Sequence, residues 1–228
     1  MGTLLHHSID EAAERSPEHE AFRYQGHALD YSTLALRSSR LANLLHQEGV
    51  RSMDRVGIYM LKGLDLPVAI YGILKAGAAY VPIDPGAPLP RIKTILDNCG
   101  IRHLITDKSR ARQAARLAGE VPGLECVVGV ADEAATADQR FFGWSDVETV
   151  SASDPGVRTT EQDLAYIMYT SGSTGTPKGL MHTHHSGLSY ARLSAKVYGV
   201  EPEDRLGNHS PLHFDMSTFE YSVSYTHL

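Results

Sequence analysis

The sequence predicts an α/β fold in which βαβ units alternate around a mostly parallel sheet. Two observations lead to this prediction. From residue 55 onward, short apolar runs typical of strands alternate with longer amphipathic segments typical of helices, and the connections between them are short. The 228 residues are 42% hydrophobic, which is enough apolar material to bury a sizeable core.

The first 50 residues are predicted to form a helix, a hairpin and a second helix. Ser8 begins a capping-box pattern that opens a short helix ending near Pro17. Two apolar runs flank Gly26, as in a β-hairpin. Ser32 is then expected to cap a helix that Gly49 stops.

The alternation itself occupies residues 55–130. Strands are predicted for "RVGIYM", "AAYVPID", "IRHLITD" and "LECVVGV", and helices for "LPVAIYGILKAG", "PRIKTILDNCG" and "ARQAARLAG". Pro67 lies near the start of the first of these helices and Gly77 just past its end, the positions that each residue favours. Residues 131–162 break the pattern with small and acidic residues, which predicts a surface loop or a subdomain junction.

A polar stretch, "YTSGSTGTPKG" at residues 169–179, follows the predicted buried strand "DLAYIMY" and precedes a second strand, "LMHTH". Its glycines permit close approach of a ligand to the backbone, and successive N–H groups can form an anion-binding concavity. Its serine and threonine hydroxyls add donors. Because apolar strands clamp the stretch at both ends, it favours a polyphosphate-binding loop over a flexible linker.

Three better-known loops do not match this stretch. A Walker loop fails because Pro177 precedes Lys178 and Gly179 follows it. The dinucleotide fingerprint fails because Gly172 and Gly175 have the wrong spacing. A nucleophile elbow is not supplied by "GSTGT".

Composition and charge argue against several classes of partner. The formal net charge of −6 is unlike that of proteins that bind nucleic acid through a basic face. The N-terminal residues contain no apolar run long enough for a signal peptide or a membrane span. Two cysteines are too few for a disulfide framework, so we expect a cytoplasmic protein without a nucleic-acid or membrane partner.

Four segments together resemble one known family. "LAYIMYTSGSTGTPKG" resembles the phosphate-binding signature of the adenylate-forming superfamily, which includes acyl-CoA synthetases, luciferases and nonribosomal peptide synthetase adenylation domains. "LKAGAAYVPIDP" is similar to a second signature, closest to the amino-acid-activating branch, and "LDYSTL" to a weaker N-terminal element. "FDMS" resembles the element that carries the first substrate-pocket residues. The resemblance implies that residues 1–221 are the first portion of the large N-terminal AMP-binding domain.

The resemblance also implies an activity. Family members use ATP with Mg²⁺ to convert a carboxylate substrate, here an amino acid or other small carboxylate, to an acyl-AMP with release of pyrophosphate. The acyl group then passes to the thiol of a carrier-protein phosphopantetheine or of coenzyme A. The implied phosphate-binding residues are Thr170, Ser171, Gly172, Ser173, Thr174, Gly175 and Lys178. An ordinary solvated loop charge is the alternative interpretation of Lys178.

The same resemblance assigns two substrate-binding residues. Asp215 matches the aspartate that faces the substrate ammonium in amino-acid-activating members, and Phe214 would line the pocket. Ser217 and Glu220 have capping-box spacing, so Asp215 can instead favour a helix N-terminus. An acyl- or aryl-CoA synthetase without an amino group in its substrate, and a non-catalytic nucleotide-binding module, are the alternative functions.

A cluster of histidines follows the loop, but no metal site is predicted from it. The "HTHH" run lacks further ligands at zinc-like spacing. The histidines concerned are His182, His184, His185, His209 and His213.

The last residues depart from the family pattern. After "FDMSTFE" the chain ends in "YSVSYTHL", which lacks the apolar helical spacing expected there. We therefore expect residues 222–228 to be a truncation scar or a foreign tail. The family elements that bind adenine and ribose, and the C-terminal domain with its catalytic lysine, are not found in the 228 residues.

The 228-residue chain is expected to bind ATP weakly without completing adenylation, because the catalytic lysine of the family is not among its residues. Exchange of radiolabelled pyrophosphate into ATP should stay at background when amino acids are supplied. Substrate-dependent exchange by the purified chain would contradict this expectation.

Overall fold

The computed structural model describes residues 2–130, 139–170, 177–201 and 203–223. Its strands are β1 (Glu20–Tyr24), β2 (His27–Asp30), β3 (Arg55–Tyr59), β4 (Ala79–Pro82), β5 (His103–Thr106), β6 (Cys126–Val128), β7 (Arg140–Phe142), β8 (Leu164–Thr170) and β9 (Lys178–Thr183). Its helices are α1 (His7–Arg15), α2 (Tyr31–Gln47), α3 (Asp65–Lys75), α4 (Leu89–Cys99), α5 (Ala111–Glu120), α6 (Trp144–Val147), α7 (His184–Tyr198) and α8 (Met216–Val223).

The predicted α/β fold with a mostly parallel sheet is confirmed. Among the described residues, β3 to β9 form one sheet in the order β7-β6-β5-β3-β4-β8-β9. The neighbouring strands are parallel except at one edge, where β9 runs antiparallel to β8. The predicted hairpin of β1 and β2 is separate from this sheet and turns through Gln25 and Gly26, both with the positive φ that a two-residue turn of this kind requires.

Two apolar cores lie on the two faces of this sheet. One core joins α1, α2 and α3 to residues such as Val56 and Tyr80, and the other joins α4 and α5 to residues such as Val81 and Val127. The strand order reverses where the chain leaves β4 and crosses to β5. Open α/β sheets bind their ligands beyond the carboxyl ends of the strands at such a reversal.

Helix α3 lies between α2 and the sheet, and residues 66–75 are buried throughout. This burial includes Lys75, whose ammonium lies 2.6 Å from Asp10 Oδ1. The same ammonium donates to the Ala35 carbonyl and to the Ser39 hydroxyl. The buried charge is therefore paired and hydrogen-bonded, as a buried ion requires.

The predicted N-caps of the first two helices were each wrong by two residues. Helix α1 begins at His7, so Ser8 lies inside it rather than before it. Helix α2 is capped by Asp30, which accepts from the Thr33 backbone N–H at 2.6 Å. The Ser32 hydroxyl donates to that same carboxylate, so the aspartate takes the capping role expected of the serine.

The predicted loop or junction at residues 131–162 also contains regular structure. Strand β7 pairs parallel with β6 and places Phe141 in the second core, and α6 follows it with Val147 buried. Three strand residues and a one-turn helix are too short for a periodic pattern, which explains why the sequence did not predict them. Residues 131–138 lie outside the described part of the chain.

Helix α8 continues through Val223, two residues into the stretch predicted to be foreign. Ser222 is buried there, and residues 224–228 lie outside the described part. Of the described helices, none combines the length and apolar character needed to span a bilayer.

The N-terminal segment is attached to α7 through a buried histidine. His184 is fully buried, and its Nδ1 accepts a hydrogen bond from the Leu5 backbone N–H at 3.2 Å. The His6 ring lies 5.9 Å from the His184 ring. Burial lowers the pKa of His184 to about 4 and that of His6 well below its ordinary value, so both imidazoles are neutral at physiological pH.

This attachment is expected to weaken in acid. Because His184 is held neutral when folded, its contribution is complete above its unfolded pKa near 6.5 and is lost as the pH falls toward 4, a loss of about 3 kcal/mol. The variant His184→Asn keeps an acceptor for Leu5 but does not titrate. Urea unfolding across this pH range should therefore show a weaker pH dependence for the variant, whereas His185→Asn at the exposed neighbour should match the wild type.

Candidate nucleotide and amino-acid site

The pairing of β8 with β9 brings the two ends of the predicted phosphate loop together. Thr170 is the last residue of β8 and lies directly opposite Lys178, the first residue of β9. Such partners have Cα atoms about 5 Å apart. Because β8 is parallel to β4, this point is on the carboxyl edge of the sheet. The predicted site residues Ser171, Gly172, Ser173, Thr174 and Gly175 lie outside the described residues.

Lys178 places an exposed ammonium group at this edge. Its side chain is exposed, and among the described residues its ammonium contacts no acceptor. The next residue is tightly enclosed: a Cβ on Gly179 would lie 2.9 Å from Ile167 and 3.3 Å from the Tyr169 ring, so a larger residue would require these side chains to shift. The Tyr169 hydroxyl in turn donates to Asn98 Oδ1 at 2.6 Å, which ties the end of β8 to α4.

Three aromatic rings stack across neighbouring strands on one face of the sheet. The Tyr80 ring on β4 lies 5.4 Å from that of Tyr166 on β8, and the Tyr166 ring lies 4.6 Å from that of His182 on β9. The interplanar angles are 24° and 12°, so the rings are nearly parallel. The sequence did not predict this stack because its members are far apart in the chain, and only the strand order brings them together.

Asp215 lies beside the end of this stack. Burial lowers the pKa of His182, and the charge of the nearby Asp215 carboxylate opposes that shift. The Thr218 side chain of α8 also lies close to the Tyr166 hydroxyl and opposes the rise in its pKa that burial causes. The start of α8 therefore lies near the sheet, with the Asp215 charge close enough to act on an imidazole that burial favours in the neutral form.

The Asp215 carboxylate is exposed, and its Oδ1 accepts from the Met216 backbone N–H at 2.9 Å. This contact at the start of α8 supports the helix-terminus interpretation of Asp215. It occupies one oxygen of an exposed carboxylate, so a ligand cation can still reach the group. The two interpretations are therefore compatible.

The predicted capping box at this helix was wrong. The buried Ser217 hydroxyl donates to the Leu212 carbonyl at 2.8 Å. Glu220 instead accepts from the backbone N–H groups of His209 and Ser210. Both side chains fold the preceding loop against α8 and leave Asp215 as the polar group at its N-terminus.

Phe214 stands beside Asp215 with its side chain 54% exposed. Its ring is tilted against that of His213 at 4.8 Å. Nε2 of His213 lies 3.9 Å from Oδ2 of Asp84, just beyond the carboxyl end of β4. Burial lowers the pKa of His213, and the Asp84 carboxylate opposes this effect. Phe214 thus lies at the surface near the carboxyl edge, and its role in lining a pocket stays a prediction.

The histidines that follow the loop have separate environments. His182 lies in the ring stack, His184 is buried under the N-terminal segment, and exposed His185 lies 3.8 Å from Glu161. In the described part of the chain, no group of three or more His, Cys, Asp or Glu side chains is placed to hold a metal ion.

His182 and Lys178 are four residues apart on β9, a separation of about 13 Å along the strand. The large cavity of about 1000 Å³ lies elsewhere, between the β1–β2 hairpin, the start of α3 and residues 203–208. The described predicted site residues do not line that cavity.

Comparisons with known proteins agree with these features. The sequence model of the family described as "AMP-binding enzyme" matches residues 9–227. Gramicidin S synthase 2 from Brevibacillus brevis is 34% identical over 96% of the chain, which spans 4% of that protein. The L-proline--[L-prolyl-carrier protein] ligase from Pseudomonas fluorescens is 34% identical over 95% of the chain, which spans 42% of the ligase.

A solved nonribosomal peptide synthetase, FmoA3 with AMPPNP bound, superimposes with a TM-score of 0.80 at 32% identity. That superposition covers 99% of this chain and 22% of the synthetase chain. With the fold, the edge loop and the family match in agreement, the chain belongs to the AMP-binding enzyme family of adenylate-forming ligases.

Proposed function

We propose that this chain is part of an enzyme that activates an amino acid as its acyl-AMP and transfers it to a carrier-protein phosphopantetheine thiol. The family establishes adenylate-forming chemistry, while the substrate and the acceptor belong to the proposal. The supporting observation is the pairing of Thr170 with Lys178, which brings the two ends of a donor-rich segment together beside a cation that has no acceptor within the described part of the chain. Residues 1–221 would then be part of an AMP-binding domain.

ATP is the ligand proposed for the loop. Thr170 and Lys178, with Ser171, Gly172, Ser173, Thr174 and Gly175, would hold the β- and γ-phosphates, which leave as pyrophosphate. An enzyme accelerates displacement at the α-phosphate mainly by positioning the reactants and by stabilising the charge that develops. Hydroxyl and N–H donors together with one lysine are suited to both tasks. Mg²⁺ would arrive with the nucleotide and share the phosphate charge.

An amino acid is the carboxylate substrate that Asp215 favours. A carboxylate that faces a substrate ammonium rejects analogues without that cation, because it is then left unpaired. Neutral His182 supports this role, since a protonated imidazole would compete with the ammonium for Asp215.

The acceptor is proposed from the relatives. One of them is, by its name, a ligase that loads L-proline on a carrier protein, and the FmoA3 structure is that of a nonribosomal peptide synthetase. A carrier-protein phosphopantetheine is therefore preferred over coenzyme A as the thiol. We further propose a cytoplasmic location for this reaction.

Removal of the Lys178 charge is expected to weaken ATP binding. A hydrogen bond to a charged group contributes about 1.5–3 kcal/mol, so Lys178→Gln should lower the affinity by about 10-fold or more. Isothermal titration of the purified chain with ATP and Mg²⁺ measures the effect. The matched control is Lys196→Gln, another exposed lysine, on α7. Equal affinities for the two variants would show that Lys178 is only a solvated charge.

The pKa of His182 is expected to report on Asp215. Because the Asp215 carboxylate raises this pKa, Asp215→Asn should lower it, as measured by NMR titration of histidine-labelled chain. His182→Asn identifies the resonance. An amino acid bound through its ammonium should lower the same pKa by neutralising the carboxylate. If the matching des-amino acid has the same effect, the ammonium is not recognised and an acyl- or aryl-CoA synthetase is favoured.

A further inference from the structure

The end of β8 projects beyond the strand on its parallel side. β4 ends at Pro82, which the parallel register places level with Met168. The next two residues of β8 pair only with β9, which is the last strand of the described sheet. Within the described ranges, no third strand therefore supports the backbone at the ends of the predicted phosphate loop. We call the four residues at these ends the loop stem: Tyr169, Thr170, Lys178 and Gly179.

One side chain of the loop stem makes a contact with α4 instead. The Tyr169 hydroxyl donates to Asn98 Oδ1 at 2.6 Å. The Tyr169 ring packs against the second core, and two of its carbons would lie 3.3 Å from a Cβ on Gly179. Of the four stem residues, Tyr169 alone makes a side-chain hydrogen bond within the described part of the chain. This ring therefore connects both strands of the stem to one residue of the helix.

Helix α4 is a fixed support for this contact. Its apolar face is buried in the second core. The helix ends at Gly100, which has the left-handed conformation, and Arg55 Nε donates to the Cys99 carbonyl at 2.9 Å. Asn98 lies in this last turn and is exposed, so its side chain takes no part in the core. A substitution at Asn98 can therefore remove the contact without opening a cavity.

The hydrogen bond between Tyr169 and Asn98 is insensitive to pH near neutrality. Burial raises the pKa of the Tyr169 hydroxyl, and the nearby Cys99 thiol raises it further. The hydroxyl therefore stays protonated and acts as the donor. The amide oxygen of Asn98, which does not titrate, acts as the acceptor. The influence of this bond on the loop stem is expected to be constant between about pH 6 and pH 8.

We propose that Asn98 is a positioning residue for the phosphate loop. By accepting from Tyr169, it holds the loop stem in the orientation that directs Lys178 and the loop donors toward the nucleotide. Donors that are already ordered bind more tightly, because less binding energy is used to order them. The inference rests on the proposed ATP site and adds to it a residue outside the loop motif, which acts through Tyr169.

Variants of this hydrogen bond give the main test, with ATP and Mg²⁺ titrated by calorimetry. Asn98→Leu has a similar shape without the acceptor and should weaken ATP binding by about five-fold, the typical contribution of one neutral hydrogen bond. Asn98→Asp keeps an acceptor and should retain the wild-type affinity. Tyr169→Phe should match Asn98→Leu, and the double variant should be no weaker, because both changes remove the same bond. Asp97→Asn, at the exposed neighbour, is the control and should have no effect.

Amide exchange followed by NMR separates positioning from a general loss of stability. In Asn98→Leu, the hydrogen-bonded amides of the loop stem should exchange about five-fold faster, while those at the Leu164 end of β8 keep their rates. Uniform acceleration along β8 would show a role in stability alone and overturn the proposal, as would unchanged ATP affinity in Asn98→Leu. If the wild-type chain binds no ATP, the proposed ATP site fails instead, and unchanged exchange at the stem would then overturn the role of Asn98 as well.

Discussion

The register between β8 and β9 is the constraint on which the candidate site depends. It sets Thr170 against Lys178 and thereby closes the loop at the carboxyl edge of the sheet. It also places His182 on the Tyr166 ring, at the other end of the same strand pair. A slip of one residue would move every β9 side chain to the opposite face and would separate both pairs. Gly179 opposes such a slip, since a larger residue in its place would force the Ile167 side chain to shift.

Burial explains why histidines that are close together in the sequence have different roles. His184 is enclosed by the N-terminal segment and serves as a neutral acceptor for Leu5. His182, two residues earlier, lies half-buried on the ring stack with the Asp215 charge nearby. His185 is exposed beside Glu161. Alternation along β9 and the turn into α7 direct these side chains to separate places, so closeness in the sequence does not produce a metal site.

Periodicity decided how much of the molecule could be predicted. The alternation between residues 55 and 130 gave the parallel sheet because each strand and helix is long enough to show its pattern. The cap of α2 was missed because Asp30 and Ser32 are both good capping residues and only geometry selects between them. Thr170 and Lys178 were predicted as phosphate-binding residues from the family motif. The ring stack was not predicted, because a single sequence does not show the order of strands in a sheet.

Two lysines with the same charge have different environments in this fold, and burial is what distinguishes them. Lys75 and Lys178 carry the same ammonium group. Lys75 is buried and forms an ion pair with Asp10, so its charge is neutralised inside the fold. Lys178 is exposed without an acceptor among the described residues, as many surface lysines are. What distinguishes it is location: it borders a donor-rich loop at the sheet edge where α/β folds bind ligands. Asp215 is exposed as well, at the start of α8, where one of its oxygens accepts from the Met216 backbone N–H.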